Sequence, residues 1–446
     1  MPSVAAVLTL LGKPEQALQL LWVESDDHRA LHQSFPRLRS GQAPRAPSGC
    51  ARRASRRALS SFRLPTLCRS KGRASLTRES GLNMIMRKRK LDIGNSRYIC
   101  LDPEAKMATA VEMLFLSRDD IVSLNLGPQD VVGAVEKALV EHSNGTYEMH
   151  PKIGVHPTQT DPGNFIHAMP AYLKGMKACG LKWVAGFSNN YQRDLPNVTG
   201  IMVYNDVDTG IPLAVMDCSY LTGLRTAAVS AIIARLCARS GSRVLALAGC
   251  GFQGTMHLRF ITALIPSIVA VRLRDVRAPA AAALAEEGRR YFCGEITICG
   301  SNEECLRNAD IISTCTDGED RIIEKEWFKE GAFGVGIEGG CAYTAAALHQ
   351  ADKFIVDDIP LAEYFDQIGR NRVTADGRPD PEFPGGLPRI YSTIGEIVAG
   401  KKPGRESDRE RIVAIPIGMG ICDVALGAVL YETARQKNVG RVLRLM

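Results

Sequence analysis

Apolar positions recur in this chain at two periods, and the change from one to the other divides it. Leu114-Phe115-Leu116 predicts a short strand, and Ser117 followed by Arg118-Asp119-Asp120 predicts a helix start with acids in its first turn. Val131 to His142 then carries apolar residues at helical spacing. From Met149 to Met216 the apolar residues come in short runs: Phe165 to Met169, Leu181 to Val184, Gly200 to Tyr204 and Ile211 to Met216. Turn signals such as Asp208-Thr209-Gly210 separate them, so this part reads as strand-rich α+β.

Helical periodicity takes over from Leu224 to Ala238, and beyond it strands and helices alternate. Predicted strands are Val244–Ala248, Ile268–Leu273, Ile296–Cys299, Ile311–Cys315, Ala332–Ile337 and Phe354–Val356. Predicted helices between them span Thr255–Leu264, Pro279–Tyr291 and Asn302–Asn308. Such alternation predicts a doubly wound parallel sheet. The fold class is therefore α/β: a Rossmann-type doubly wound domain over 233–416 plus a strand-rich α+β domain over 107–232. A last helix, Val424 to Gln436, is long enough to pack back on the first domain, so 417–446 is assigned there.

The hexapeptide Gly249-Cys250-Gly251-Phe252-Gln253-Gly254 lies between the first predicted strand of the second domain and its helix. In that setting Gly249 makes the tight turn, Gly251 lets backbone approach a pyrophosphate, and Gly254 lets helix pack on strand. Phosphates then meet the helix N-terminus, where free N–H groups and the macrodipole favour negative charge. Asp275 stands 21 residues past Gly254, near the end of the next apolar run, where an acid accepts hydrogen bonds from a ribose 2′-OH. The expected cofactor is NAD; Arg274 and Arg277 beside Asp275 leave NADP open. Cys250 reads as a small turn residue.

Charge changes the picture at one end only. The 446 residues carry a net charge of +7, but residues 1–106 hold 20 Lys and Arg against 8 Asp and Glu. The remainder is slightly acidic and gives no electrostatic case for nucleic acid. His28 to Arg78 contains no acidic residue. A mitochondrial-type presequence has that composition, yet Glu15, Glu24, Asp26 and Asp27 precede it. A nucleic-acid tail would need aromatic residues for stacking, and they are nearly missing. Residues 1–106 are therefore expected to be a disordered basic extension or upstream sequence from a misplaced start, with Met107 or Met113 as the natural beginning. The 13 cysteines are scattered and never form Cys-x-x-Cys, which suits a reducing cytoplasm. No stretch reaches the ~20 apolar residues of a membrane span. His150, His156 and His167 lack metal-ligand spacing, so no metal is expected.

Three cations suit a carboxylate substrate. Lys152 follows a proline, Lys182 sits inside an apolar run where desolvation lowers its pKa, and Arg225 begins an Ala-rich helical stretch. Arginine is the preferred bidentate grip on a carboxylate.

Several segments, in one order, now carry a resemblance. They are Met169-Pro170-Ala171, Asn205 to Gly210, Ala214-Val215-Met216-Asp217, Leu224-Arg225-Thr226-Ala227-Ala228, the glycine hexapeptide, Ile394 to Gly400 and Gly404 to Asp408. Over residues 113–446 the chain resembles the ornithine cyclodeaminase/μ-crystallin family. The resemblance implies an NAD(P)-dependent enzyme that transfers hydride at the α-carbon of an amino or imino acid, as an imine reductase or amino-acid dehydrogenase. Alternatives are an ornithine cyclodeaminase making proline and ammonia, and a non-catalytic NAD(P)H-dependent binding protein. It implies a homodimer through the strand-rich domain. By motif position Lys152, Lys182 and Arg225 handle the substrate carboxylate and the proton, and Gly418 meets the substrate through its backbone. Asn197, Arg225, Phe252, Gln253, Asp275, Cys315 and Ile417 look like cofactor contacts.

Two positions depart from the family. Asn197 stands where a Thr is common. In Gly336-Ile337-Glu338-Gly339-Gly340-Cys341, the place of the cyclodeaminase proton acceptor, an Asp, falls on Cys341 or Gly340. Glu338 is the nearest acid.

Overall fold

A computed structural model describes residues 91–93, 96–98, 110–157, 163–316, 321–338, 342–367 and 387–446. The chain divides into two compact units, 1–99 and 100–446. Within the first, β1 (Leu91–Ile93) and β2 (Ser96–Tyr98) pair antiparallel, in a stretch read from sequence as part of the extension. The rest of that extension lies outside the described residues.

The second unit holds two sheets. The first is built from β3 (Glu112–Leu116), β4 (Tyr147–Met149), β5 (Ile153–Val155), β6 (Phe165–Leu173), β7 (Ala178–Gly186), β8 (Val198–Asn205) and β9 (Pro212–Asp217). Its order is β18-β3-β9-β8-β7-β6-β4, with β5 also on β6 and the C-terminal β18 (Arg441–Arg444) on β3. Only β3 and β9 run parallel. Strict alternation of buried and less buried residues along β6 and β7 gives this sheet two different faces. Helices α1 (Cys218–Cys237) and α3 (Gly420–Lys437) cover one of them.

The sequence accounts for both helices. Asp217 accepts a hydrogen bond from the Tyr220 N–H at 2.8 Å and so caps α1. Fifteen of its twenty residues are buried, which explains its almost continuous small and apolar composition. Asn438, in the left-handed region at φ 53°, ends α3.

The second sheet comprises β10 (Val244–Ala248), β11 (Ala270–Arg274), β12 (Glu295–Ile298), β13 (Ile311–Thr314), β14 (Phe333–Gly336), β15 (Lys353–Val356), β16 (Ile390–Thr393) and β17 (Ile412–Ile415). All eight run parallel in the order β12-β11-β10-β13-β14-β17-β15-β16. Strand order reverses between β10 and β13, and a crevice at the carboxyl ends of such a pair is where open α/β sheets bind ligands. The strands predicted here agree with those observed to within a few residues; β16, β17 and the helices Ala345–His349, Ile359–Gln367 and Ile394–Val398 are not predicted. Helix α2 (Phe252–Leu264) follows the glycine loop and packs along α1.

The β10/β13 pair is pinned at both ends. At the amino ends, Asp310 accepts from the N–H groups of Arg243 (2.8 Å) and Val244 (3.0 Å) and pairs with Arg239 and Lys329. Burial alone would raise its pKa, but Lys329 and those N–H groups hold it down at about 2, below the ordinary 3.8. At the carboxyl ends, Gly249 adopts φ 93°, and a Cβ there would lie 2.3 Å from the Cys315 carbonyl oxygen. The loop geometry thus excludes any side chain at this position.

Two outcomes follow from these pins. Asp310→Asn should lose ~1–3 kcal/mol at neutral pH. A carboxylate with a depressed folded pKa stabilises above its unfolded pKa, so the deficit should shrink as pH falls from about 4 towards 2; denaturant unfolding at pH 7 and pH 3 measures it. Gly249→Ala should cost ~1–3 kcal/mol through strain. Gly251→Ala should be the milder change, since its methyl meets nothing within 4 Å; calorimetry of both variants checks this.

Candidate active site

Alternation along β7 sends Lys182 beneath the covering helices and its neighbour Trp183 to the opposite face. Lys182 is 1% exposed. Its Nζ lies 2.8 Å from each carboxylate oxygen of Asp423, a wholly buried residue on the first turn of α3. Arg225, buried on α1, donates its Nε to Asp423 Oδ1 at 3.0 Å. One carboxylate therefore serves two cations from two other elements. Burial lowers the Lys182 pKa; Asp423 opposes that shift and Arg225 adds to it.

Lys152, from the segment before β5, joins them and donates its Nζ to the Ile417 carbonyl at 2.6 Å. Burial, then the charges of Lys182 and Arg225, bring its pKa down to about 7. Gly418 follows with φ 99°, and a Cβ there would lie 2.7 Å from Arg225 Nη1. Only glycine admits both the backbone conformation and the guanidinium packed against it. The turn itself is held by Asp357, buried at the end of β15, which accepts from the Gly418 N–H at 2.5 Å. Burial raises the Asp357 pKa, while the N–H groups of Gly418 and Ile417 and the charge of Lys152 pull it back. The adjacent Asp358 instead meets His142, 3.0 Å away.

The glycine loop lies one helix away. Phe252, at the start of α2, fits against α1 where Gly223 leaves room: a Cβ on Gly223 would be 2.4 Å from its ring. The Phe252 ring lies beside Tyr220, with the Arg118 guanidinium 5.4 Å above it. Gly254 brings α2 onto the strand, since a Cβ there would be 2.1 Å from the Gly249 oxygen. Gly251, the N-cap, offers open space and no side-chain cap to the first N–H groups of α2. Two buried atoms beside the loop, Gln253 Oε1 and Thr316 Oγ1, have no hydrogen-bond partner within the protein. An uncapped thirteen-residue helix, an open approach at Gly251 and orphaned polar atoms fit a dinucleotide.

Asp275 sits at the next strand end as expected, yet the loop already uses it. Its Oδ2 accepts from the Cys250 N–H (2.7 Å) and its Oδ1 from the Arg277 N–H (2.8 Å), which fixes the carboxylate and leaves further lone-pair directions. Cys315 bonds through its N–H to the Ala248 carbonyl, tying the two strand ends together. Asn197 braces a 3-10 turn, Ser188–Arg193, accepting from the Tyr191 N–H. Glu338 accepts from Thr314 Oγ1 at the ends of β13 and β14. Gly340 and Cys341 lie outside the described residues.

Asp423 and Asp357 escaped the sequence reading. A lone acid within an apolar helix, Gly420 to Leu430, was the available signal for Asp423: an unpaired carboxylate is not tolerated in such surroundings. Among the described residues no group of three or more His, Cys, Asp or Glu could hold a metal, and no helix is long and apolar enough to cross a membrane.

Known proteins resemble this chain in sequence and fold. An alanine dehydrogenase from Archaeoglobus fulgidus is 34% identical over 340 residues, covering 75% of this chain and 99% of its own. A solved archaeal alanine dehydrogenase dimer with bound NAD is 31% identical with a TM-score of 0.66, covering 75% of this chain and all of its own. The Thermococcus litoralis Δ1-pyrroline-2-carboxylate reductase, solved with NADH and L-proline, is 27% identical with a TM-score of 0.64, covering 74% and 99%. The model of the ornithine cyclodeaminase/mu-crystallin family matches residues 111–438. With that match covering most of its length, this chain belongs to the ornithine cyclodeaminase/mu-crystallin family.

Proposed function

We propose that this protein is an NAD-dependent oxidoreductase that transfers hydride at the α-carbon of an amino or imino acid. The observation that carries the reading is the convergence of Lys152, Lys182 and Arg225 beside Gly418, one helix from the glycine loop. Gly249, Gly251, Gly254, Phe252, Gln253 and Asp275 would hold the dinucleotide, which supplies or accepts the hydride when bound. Asp275, held in place by two N–H donors, favours a ribose hydroxyl over a 2′-phosphate, and the two solved relatives carry NADH and NAD. Arg225 and Lys152 grip the substrate carboxylate and so orient the α-carbon. Lys182, dry and lowered in pKa, passes a proton to or from the substrate nitrogen.

Imine reduction or amino-acid oxidation suits the site better than cyclodeamination. A diamino acid needs a carboxylate for its distal amine. Asp423 meets two cations, Asp357 holds the Ile417–Gly418 turn, and Glu338 accepts from Thr314 Oγ1. A non-catalytic binder would not need a desolvated lysine among further cations.

Assembly follows from the other face of the first sheet. Ile166, Ala168, Leu181, Trp183, Ile201, Val203 and Val215 all lie on it, and Trp183 stands opposite both Ala168 and Ile201 across the strands. An apolar surface across four strands matches a subunit interface, and an alanine dehydrogenase relative is a dimer. We take the partner to be a second copy and the compartment to be the cytoplasm.

NADH oxidation should be seen with pyruvate plus ammonia or with cyclic imino acids, and should vanish in Lys182→Met. Tight NADH binding without turnover on any of them would leave the binding protein, and proline plus ammonia from L-ornithine without net NADH would establish the cyclodeaminase. Because Lys152 grips the carboxylate only when protonated, KM for the imino or oxo acid should rise as pH climbs through about 7. That limb should be lost in Lys152→Met. Light scattering should find a dimer, and Trp183→Glu with Ile201→Glu should convert it to monomer.

A further inference from the structure

Asp423 touches neither the glycine loop nor open solvent, yet among the described residues it is the acid that meets both Lys182 and Arg225. Its position fixes two things at once. Taking the Arg225 Nε turns that guanidinium edge inward and leaves Nη1 and Nη2 under Gly418, where no Cβ intervenes. Lying equidistant from Lys182 Nζ with both oxygens, it holds the ammonium at a set point on the floor of the site.

We propose that Asp423 is a positioning residue, whose single carboxylate couples the carboxylate grip of Arg225 to the proton held by Lys182. The inference rests on the amino- or imino-acid reading above. In imine reduction a bound dinucleotide would supply the hydride for the new C–H bond, the C=N π pair would move to nitrogen, and nitrogen would take a proton from Lys182 Nζ. Lys182 would be left neutral until solvent returns the proton. While Lys182 is neutral, Asp423 still holds Arg225, so the grip survives the step that empties the lysine. The other groups facing Lys182 are Cys218, Thr222 and Arg225 of α1, with Lys152 and Cys422 nearby. Asp423 is the acid that opposes the lowering of the Lys182 pKa by burial and by Arg225.

The test is Asp423→Asn, which keeps shape and removes charge. NADH affinity should stay within twofold of wild type, because the glycine loop is not touched. KM for the imino or oxo acid should rise about tenfold, and the alkaline limb of kcat in the reductive direction, which needs protonated Lys182, should move at least one pH unit lower. An inert structural acid would lower thermal stability without moving that limb. A folded Asn variant with wild-type KM and wild-type limb overturns the proposal. Absence of turnover in the wild-type protein would instead sink the enzyme reading. The Lys182 midpoint is then read from its 13Cε resonance, assigned by loss in Lys182→Met, and an unchanged midpoint in the Asn variant still overturns the coupling. If the Asn variant does not fold, Asp423→Glu keeps the charge but moves it. It should preserve the Lys182 midpoint while raising KM, and wild-type KM would refute the positioning role.

Discussion

The buried carboxylate of Asp423 is the constraint around which the first sheet and its helices are arranged. Two cations removed from water are expensive, and burying either without a counter-charge would neutralise it or push it to solvent. Lys182 comes from a strand, Arg225 from α1 and Asp423 from α3, so the ion triad can form only if all three elements dock in one register. Such a triad adds little stability compared with apolar packing. It specifies position, which is what a site that must orient a small acid needs.

The same strand links this interior to the outer surface. Lys182 and Trp183 are consecutive, and the two-residue period of β7 turns them to opposite faces. A register slip of one residue would expose the lysine and bury the tryptophan, exchanging site for interface. The apolar face that we assign to a second subunit therefore backs directly on the floor of the site, and assembly would stiffen the strands that present Lys182.

Legibility in the sequence followed the range over which each feature is encoded. The parallel sheet, its helices and the glycine loop are local patterns of period, turn residue and spacing, and Val244 to Leu264 alone predicts strand, turn and helix in the observed order. Lys152, Lys182 and Arg225 were legible only as cations in unlikely surroundings and through motif resemblance. What brings them together is contact across 241 and 198 residues to Asp423 and across 265 to Ile417, which no local pattern carries. In the sequence Asp357 and Asp358 are two adjacent acids after an apolar run; only the fold sends one to the Gly418 turn and the other to His142. Asn197 was matched by motif position, and the structure gives it a turn to brace.

Helix α1 sets the distance between the two halves of the site. Gly223 receives the Phe252 ring, Arg225 meets Asp423, and Ser230 bonds the buried His257 of α2 at 2.9 Å. Burial holds His257 neutral, with its pKa lowered to about 4, so the contact to Ser230 persists across the physiological range. The eight residues from Gly223 to Ser230 on one rigid helix thus span from the Phe252 contact, through the Asp423 pair, to the packing of α2. A helix rises 1.5 Å per residue and its residues keep fixed angular offsets. Hydride transfer requires the donor and acceptor carbons at near-contact distance, and errors of an ångström are costly. Resting both Phe252 and Asp423 against one helix, rather than on two loops, makes their separation a property of backbone geometry. The small and apolar sequence of α1 is accordingly a requirement of position, since each bulky or polar intruder would lever the glycine loop away from Arg225.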